Sequence, residues 1–220
     1  MIKEVQDDII VLDHPIIEHN LAELRNIQYN PESFMMALKR ISNLLFFEGT
    51  KFLPTVEKKM QTPICETTVK VLDPSVDIIL APILRAGMVF CDVAQELLPL
   101  ARVQHLGMYR DEKTLTPIWY YNKTLKINDP EKTHVFIMDP MLATGNSAYD
   151  AISCYMKHNI PLKNIIFICL IAAPQGIKKL TDNFKGLKIM TANIDEDLNE
   201  KGYIVPGLGD AGDKIYNTQY

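Results

Sequence analysis

Apolar residues along this chain repeat with two different periods, and the switches between those periods mark out the elements. A short apolar stretch over Ile16 to Leu24 predicts one helix within a lead-in segment that runs to Pro31. Asn30-Pro31-Glu32 is a helix start, with a capping Asn, a Pro at the first helical position and an early acid. Behind it Phe34, Leu38, Ile41 and Leu45 recur at helical spacing, so this helix is expected to pack on the sheet or on a partner subunit. Thr67 to Leu72 alternates, placing Val69 and Val71 on one face of a strand. Asp77 to Leu84, Val103 to Met108, His134 to Met138, Asn164 to Ala172 and Leu187 to Thr191 also read as strands. Met88 to Leu98, the run from Ala148 onward and Gln175 to Phe184 read as the helices between them. Strands alternating with helices predict an α/β fold: a mostly parallel central sheet with flanking helices, in a single domain over residues 1–220. Ligands of such sheets bind at the carboxyl ends of the strands. Arg85, Arg110 and Asp139 all fall at or just beyond such ends.

Composition narrows the class. A chain of 220 residues, 47% of them hydrophobic, can bury a sizeable core. The net charge of −4 argues against a dedicated nucleic-acid binder. The longest apolar runs, such as Ile165 to Pro174, are too short to span a bilayer, and the first residues carry early acids and no signal-peptide pattern. A cytoplasmic protein without membrane or nucleic-acid partners is expected. Cys65, Cys91, Cys154 and Cys169 are isolated, with no C-x-x-C pair, and read as reduced core thiols. His14, His19, His105, His134 and His158 lack metal-ligand spacing, and nothing resembles a Ser/His/Asp triad.

The stretch from His134 to Asn159 carries the chemistry. An apolar strand ends at Asp139, passes through Pro140-Met141-Leu142-Ala143-Thr144-Gly145-Asn146-Ser147, and enters a helix. Such a loop aims backbone N–H groups at one point, and the helix adds the positive end of its dipole. Thr144 and Ser147 add hydroxyl donors, Gly145 allows close backbone approach, and Asn146 is expected to tolerate a left-handed conformation. A phosphate suits that point, with the Asp139 carboxylate beside it holding ribose hydroxyls or an Mg²⁺ shell. On spacing alone, a phosphate site and an ordinary structural turn both stand. No Lys follows the glycine, so this is not a Walker loop.

Met138 to Ala148 resembles the phosphoribosyl pyrophosphate (PRPP) loop of the phosphoribosyltransferases. More narrowly it is similar to that of the uracil phosphoribosyltransferases, which carry Asp-Pro where most relatives carry two acids. Two further stretches share the resemblance: Ala81-Pro82-Ile83-Leu84-Arg85-Ala86-Gly87-Met88 and Gly202-Tyr203-Ile204-Val205-Pro206-Gly207-Leu208-Gly209-Asp210-Ala211-Gly212-Asp213. It covers nearly the whole chain from about His14. The Gly207-x-Gly209-x-x-Gly212 spacing also matches a dinucleotide fingerprint, but no strand–turn–helix context fits it.

The resemblance implies transfer of a phosphoribosyl group from PRPP to uracil, giving UMP and diphosphate in pyrimidine salvage, with Mg²⁺ as cofactor. It implies PRPP contacts from Arg85, Arg110, Asp139, Pro140, Met141, Leu142, Ala143, Thr144, Gly145, Asn146, Ser147 and Asp210. It implies uracil contacts from Ile204, Gly209, Asp210 and Ala211, with Asp139, Asp210 and Arg110 as the catalytic set. Metal contact would come through PRPP, near Asp139 or Asp210. Arg110 to Leu125, which holds Pro117, Trp119, Tyr120 and Tyr121, reads alone as a surface hairpin; beside the other motifs it resembles an arm that hoods the active site. A homo-oligomer, a dimer or higher, is implied, with GTP as a candidate activator. One departure stands out: Asn146 occupies a place where the family more often has a second glycine, and its side chain is expected to crowd or contact the 5′-phosphate. A non-catalytic pyrimidine-sensing regulator on the same fold is the alternative, and the intact Asp139 loop and base loop argue against it. A purine enzyme is disfavoured by Pro140 and by the Tyr203–Asp213 loop.

Overall fold

The computed structural model describes residues 2–6, 8–111, 114, 116–123 and 125–218. The chain opens with strands β1 (Ile2–Gln6) and β2 (Ile9–Leu12), then helices α1 (Pro15–Arg25) and α2 (Pro31–Thr50). Strands β3 (Thr55–Gln61) and β4 (Glu66–Leu72) precede β5 (Asp77–Leu84) and α3 (Met88–Leu97). Next come β6 (Arg102–Val103), β7 (Leu106–Arg110) and β8 (Pro117–Asn122). Strands β9 (Thr133–Met138) and β10 (Met141–Leu142), helix α4 (Asn146–Met156), strand β11 (Ile165–Ala172) and helix α5 (Pro174–Asn183) follow. The chain then forms β12 (Lys188–Ile194), β13 (Asp197–Leu198), β14 (Ile204–Val205) and α6 (Ala211–Tyr216).

Among the described residues ten strands form the main sheet, in the order β1-β2-β12-β11-β9-β5-β7-β8, with β10 beside β11 and β6 beside β5. The pairs from β2 through to β7 are parallel, and each edge is closed by an antiparallel neighbour, β1 on β2 and β8 on β7. Both faces are covered, which explains why the central strands read as continuous apolar runs. Alternate residues serve opposite faces. Phe136, Met138, Ile166, Ile168 and Met190 pack toward α2 and α3. Val135, Ile137, Ile165 and Phe167 pack toward α4 and α5. Helix α2 lies against the sheet, with Phe46 and Phe136 ring centroids 5.0 Å apart. Its start is as expected: the Asn30 side chain accepts from Glu32 N at 2.8 Å.

From β5 the chain crosses by α3 toward β7; from β9 it crosses by α4 in the opposite direction toward β11. The winding therefore reverses between the neighbouring strands β5 and β9, and a crevice opens at their carboxyl ends.

Three expectations need correction. The lead-in segment holds the one expected helix, α1, but also two strands that were not expected: β1 and β2 extend the sheet, β2 pairing in parallel with β12. Thr67 to Leu72 lies within β4, but β4 pairs with β3 in a separate two-stranded ribbon. The half-buried positions of β4, Thr67, Val69 and Val71, keep the expected alternation. Finally, Cys65 is exposed at the turn of that ribbon, so it is no core thiol. Cys91 and Cys169 are buried, and burial pushes their thiols up to about 11 and about 12, which leaves them inert packing groups.

Candidate active site

The crevice at the winding reversal has a volume of about 980 Å³. One wall is the end of β5 with Arg85 and Ala86; the floor is Asp139 and the loop Met141 to Ala148; the far wall is Glu200 to Ile204 and Gly209 to Asp213. Met108, Tyr109 and Arg110 of β7 and Tyr120 of β8 close the remaining side.

The loop after β9 is held from beneath. Asp139 N donates to Ile168 O, while Leu170 N and Ile171 N both donate to Pro140 O. Met141 and Leu142 then pair with the end of β11, and Ala173 N donates to Leu142 O at 2.8 Å. Pro140 is thus buried under the crevice and does not line it, unlike the other residues assigned to PRPP. Gly145 takes φ +77°, and a side chain there would meet the Gly176 carbonyl of α5 at 3.1 Å. This turn needs glycine for both its dihedral and its neighbour. It aims the first amides of α4, those of Asn146, Ser147 and Ala148, at the crevice.

Asn146 departs from expectation. It is the first residue of α4, not a left-handed residue; among the described non-glycine residues only Asn159 and Asn217 have positive φ. The left-handed step falls on Gly145 instead. The Asn146 side-chain oxygen accepts from Lys179 Nζ of α5, and that ammonium also lies 5.4 Å from the Tyr149 ring centroid.

Asp139 is half-buried, and its Oδ1 accepts from Met141 N at 3.4 Å. Burial pushes its carboxyl up to about 7; the Met141 N–H opposes this and the like charge of Asp210 adds to it. Asp210 is exposed and caps α6, its Oδ1 accepting from Asp213 N at 3.0 Å.

The two arginines reach across the crevice by different routes. Arg85 Nη2 lies 3.3 Å from Asp213 Oδ1 and Nη1 lies 3.4 Å from Thr218 Oγ1. Its guanidinium sits over the Tyr216 ring, and Tyr216 donates its hydroxyl to Arg85 O at 2.9 Å. Arg110 Nη1 donates to Gly202 O at 3.2 Å, with the guanidinium over the Tyr203 ring. Each arginine therefore ties a sheet end to the C-terminal segment. Ile204 is buried beside β13, where Leu198 and Ile204 pair, and Gly209 to Ala211 follow along the rim.

The uracil phosphoribosyltransferase family profile matches residues 11–218. The chain belongs to that family. A uracil phosphoribosyltransferase from Dictyoglomus thermophilum is 46% identical over 211 residues, 96% of this chain and all of that protein. One from Limosilactobacillus fermentum is 44% identical over 209 residues, 95% of this chain and 98% of that protein. A solved Aquifex aeolicus protein superposes with a TM-score of 0.87 at 38% identity, covering 96% and 99% of the two chains. Adenine phosphoribosyltransferase from Trypanosoma brucei, solved with AMP, pyrophosphate and ribose-5-phosphate, shares the fold at 13% identity and TM-score 0.53, over 88% and 87% of the chains.

Tyr120, placed by the sequence in the hooding arm, does line the crevice, stacked at 6.4 Å on Tyr109; Tyr109, Glu200 and Lys201, which also line it, had no role assigned from sequence. Position after a strand end would have drawn attention to Tyr109. Nothing in the sequence marks Lys179, 33 residues from its partner Asn146. The expected arm is an extra strand at the sheet edge: β8 pairs with β7, and Trp119 Nε1 donates to Asp150 Oδ2 of α4 at 3.3 Å. Glu112, Lys113, Leu115 and Thr124 of that arm lie outside the described residues. Among the described residues no helix is long and apolar enough to cross a membrane.

Proposed function

We propose that this chain transfers the phosphoribosyl group of PRPP to N1 of uracil, releasing diphosphate and forming UMP for pyrimidine salvage. The observation that carries this reading is the convergence on one crevice of the Asp139–Ala148 loop, Arg85, Arg110 and the Ile204–Asp213 segment. The α4 amides and the Thr144 and Ser147 hydroxyls suit the 5′-phosphate. Asp139 beneath them suits the ribose hydroxyls. Arg85 and Arg110 suit the diphosphate, whose charge grows as it departs. Uracil needs donors for O2 and O4 and an acceptor for N3–H; backbone groups of Ile204, Gly209, Asp210 and Ala211 can supply that pattern. Cytosine reverses it at positions 3 and 4, leaving buried groups unpaired at about 1–3 kcal/mol each. Catalysis is then positioning and charge stabilisation at ribose C1 while uracil N1 attacks and diphosphate leaves.

The donor set fits Mg²⁺ of a particular kind. Among the described residues no group of three or more His, Cys, Asp or Glu side chains could hold a metal. Asp139 and Asp210 instead offer two hard carboxylates on the crevice wall, which suits an ion that keeps waters and takes its other oxygens from substrate. Bound there, the ion would neutralise charge on the leaving diphosphate. A homo-oligomer, GTP activation and a cytoplasmic setting belong to the same reading and rest on the family resemblance. The test is diphosphate release from PRPP with each nucleobase in turn. Release with uracil alone supports the assignment; release with none would favour the non-catalytic pyrimidine sensor, and release with a purine would overturn the base assignment.

A further inference from the structure

One buried ion pair, outside the crevice lining, grips the backbone that shapes its base end. Arg25, the last residue of α1, donates from Nη2 to Asp195 Oδ1 at 2.6 Å and from Nη1 to Asp195 Oδ2 at 2.8 Å. This two-pronged geometry is the strong form of an arginine–carboxylate contact. The same Nη1 donates to Gly207 O at 2.8 Å, and Gly207 N donates to Asp195 Oδ2 at 2.8 Å. Both polar groups of Gly207 are thereby closed into one ring with the ion pair. Asn193 Nδ2 donates to Asp195 Oδ1 at 2.7 Å, and Asp195 N donates to Ala172 O at the end of β11, so the carboxylate is fixed to the sheet. The Asp195 side chain is 0% exposed and that of Arg25 25%. Burial works against the Asp195 charge, but the Arg25, Asn193 and Gly207 hydrogen bonds outweigh it and hold its pKa below the ordinary carboxylate value.

Gly207 is where the path of the base segment is decided. It takes φ +62°, and any side chain there would run into the Ile204 carbonyl. Three residues before it stands Ile204, buried against the core; two to four residues after it stand Gly209, Asp210 and Ala211. A shift at Gly207 therefore moves the backbone groups on both sides of it.

We propose that Arg25 and Asp195 are positioning residues for the base: by holding both polar groups of Gly207, they set where the Ile204–Ala211 backbone stands against uracil. This rests on the assignment of uracil to that segment. A plain structural brace would lower the melting temperature and the yield of active protein without separating the two substrates. A positioning pair must act more strongly on uracil than on PRPP, because all the assigned PRPP contacts except Asp210 lie on the loop held by β11 and α5 or on the sheet-end arginines.

The experiment measures kcat and both KM values for wild type, Arg25→Met, Asp195→Asn and Arg25→Lys, with melting temperatures alongside. Arg25→Met and Asp195→Asn are expected to raise KM for uracil about tenfold or more and to leave KM for PRPP within about twofold. Arg25→Lys keeps the charge, but a compact ammonium cannot reproduce the fork that serves both Asp195 oxygens and Gly207 O. It should fall between wild type and Arg25→Met, and it carries the test if Arg25→Met does not fold. An unmoved KM for uracil in a folded variant, or equal rises in both KM values, would overturn the inference while wild-type turnover leaves the assigned reaction standing. Absence of wild-type turnover with uracil would overturn the assigned reaction and this inference with it.

Discussion

Burial keeps Asp139 protonated over a range in which an exposed carboxylate is charged. Its folded value of about 7 lies above the ordinary 3.8, so the folded chain holds the extra proton between those limits and loses stability as pH rises through them. Asp139→Asn should therefore be stabilising relative to wild type at pH 8 and nearly neutral at about pH 4, as melting temperatures would show; a constant difference at both pH values would contradict the burial argument. Because the ionised group is the one suited to ribose hydroxyls or metal, kcat/KM for PRPP should rise through about pH 7 in wild type, and Asp139→Asn should lose that limb and at least about tenfold in kcat. Asn146 makes a different case. A glycine-like role there would make Val intolerable, but helical φ at Asn146 places no such demand. Asn146→Gly and Asn146→Val should both raise KM for PRPP by a similar, modest factor, about threefold, through loss of the Lys179 contact. Lys179→Met should match them, and the Asn146→Gly/Lys179→Met double variant should be no worse than either single. A severe defect confined to Val would restore the left-handed requirement. The acids and arginines of the crevice were legible because their motifs are contiguous. Arg25 and Lys179 were not, since each meets its partner only after folding brings distant segments together.

At the level of elements, the edge strand β8 has two faces to its behaviour. It is joined to β7 by ladder hydrogen bonds and to α4 through Trp119 and Asp150, while Tyr120 reaches the crevice. If the segment from Arg110 to Leu125 shields the reacting atoms, limited proteolysis within it should slow when PRPP and uracil are added together. Cutting at an unchanged rate with both at saturation would remove the shielding role. Most of the buried strands and the helices between them were readable within a residue or two, because a fully covered parallel strand leaves a dense apolar run; β12 runs three residues past its expected end at Thr191, and the expected strand Val103 to Met108 is split into β6 and β7. The edges were less readable for the same reason. Strand β3 is exposed at every position, and its Lys58-Lys59 pair hides any alternation. Strand β2 is four residues long and sits beside acidic neighbours, so its place in the sheet, between β1 and β12, depends on β12, which lies far along the chain.

For the molecule as a whole, the reversal of winding between β5 and β9 gathers the assigned groups, Pro140 apart, at the carboxyl ends of the strands, and alternation of strands and helices was enough to foresee that. The order of strands was not foreseeable, because it depends on which way each crossover turns. One consequence concerns the closing of Arg85 onto the C-terminal helix. That guanidinium already has an internal counter-ion, Asp213, and packs over the Tyr216 ring. A diphosphate that engages Arg85 must therefore exchange with an internal rival, and its net gain is the difference between two ion pairs. The rival is more than half open to water on the arginine side, at 55% exposure, so its hold is weak, within about 1 kcal/mol. Removing it should make the product cling: Asp213→Asn should lower the inhibition constant of diphosphate about two- to fivefold. An inhibition constant that stayed level or rose would mean that Asp213 does not compete. If Asp213 competes in this way, diphosphate departs more readily with the rival in place, and α6 speeds the emptying of the leaving-group side of ribose C1.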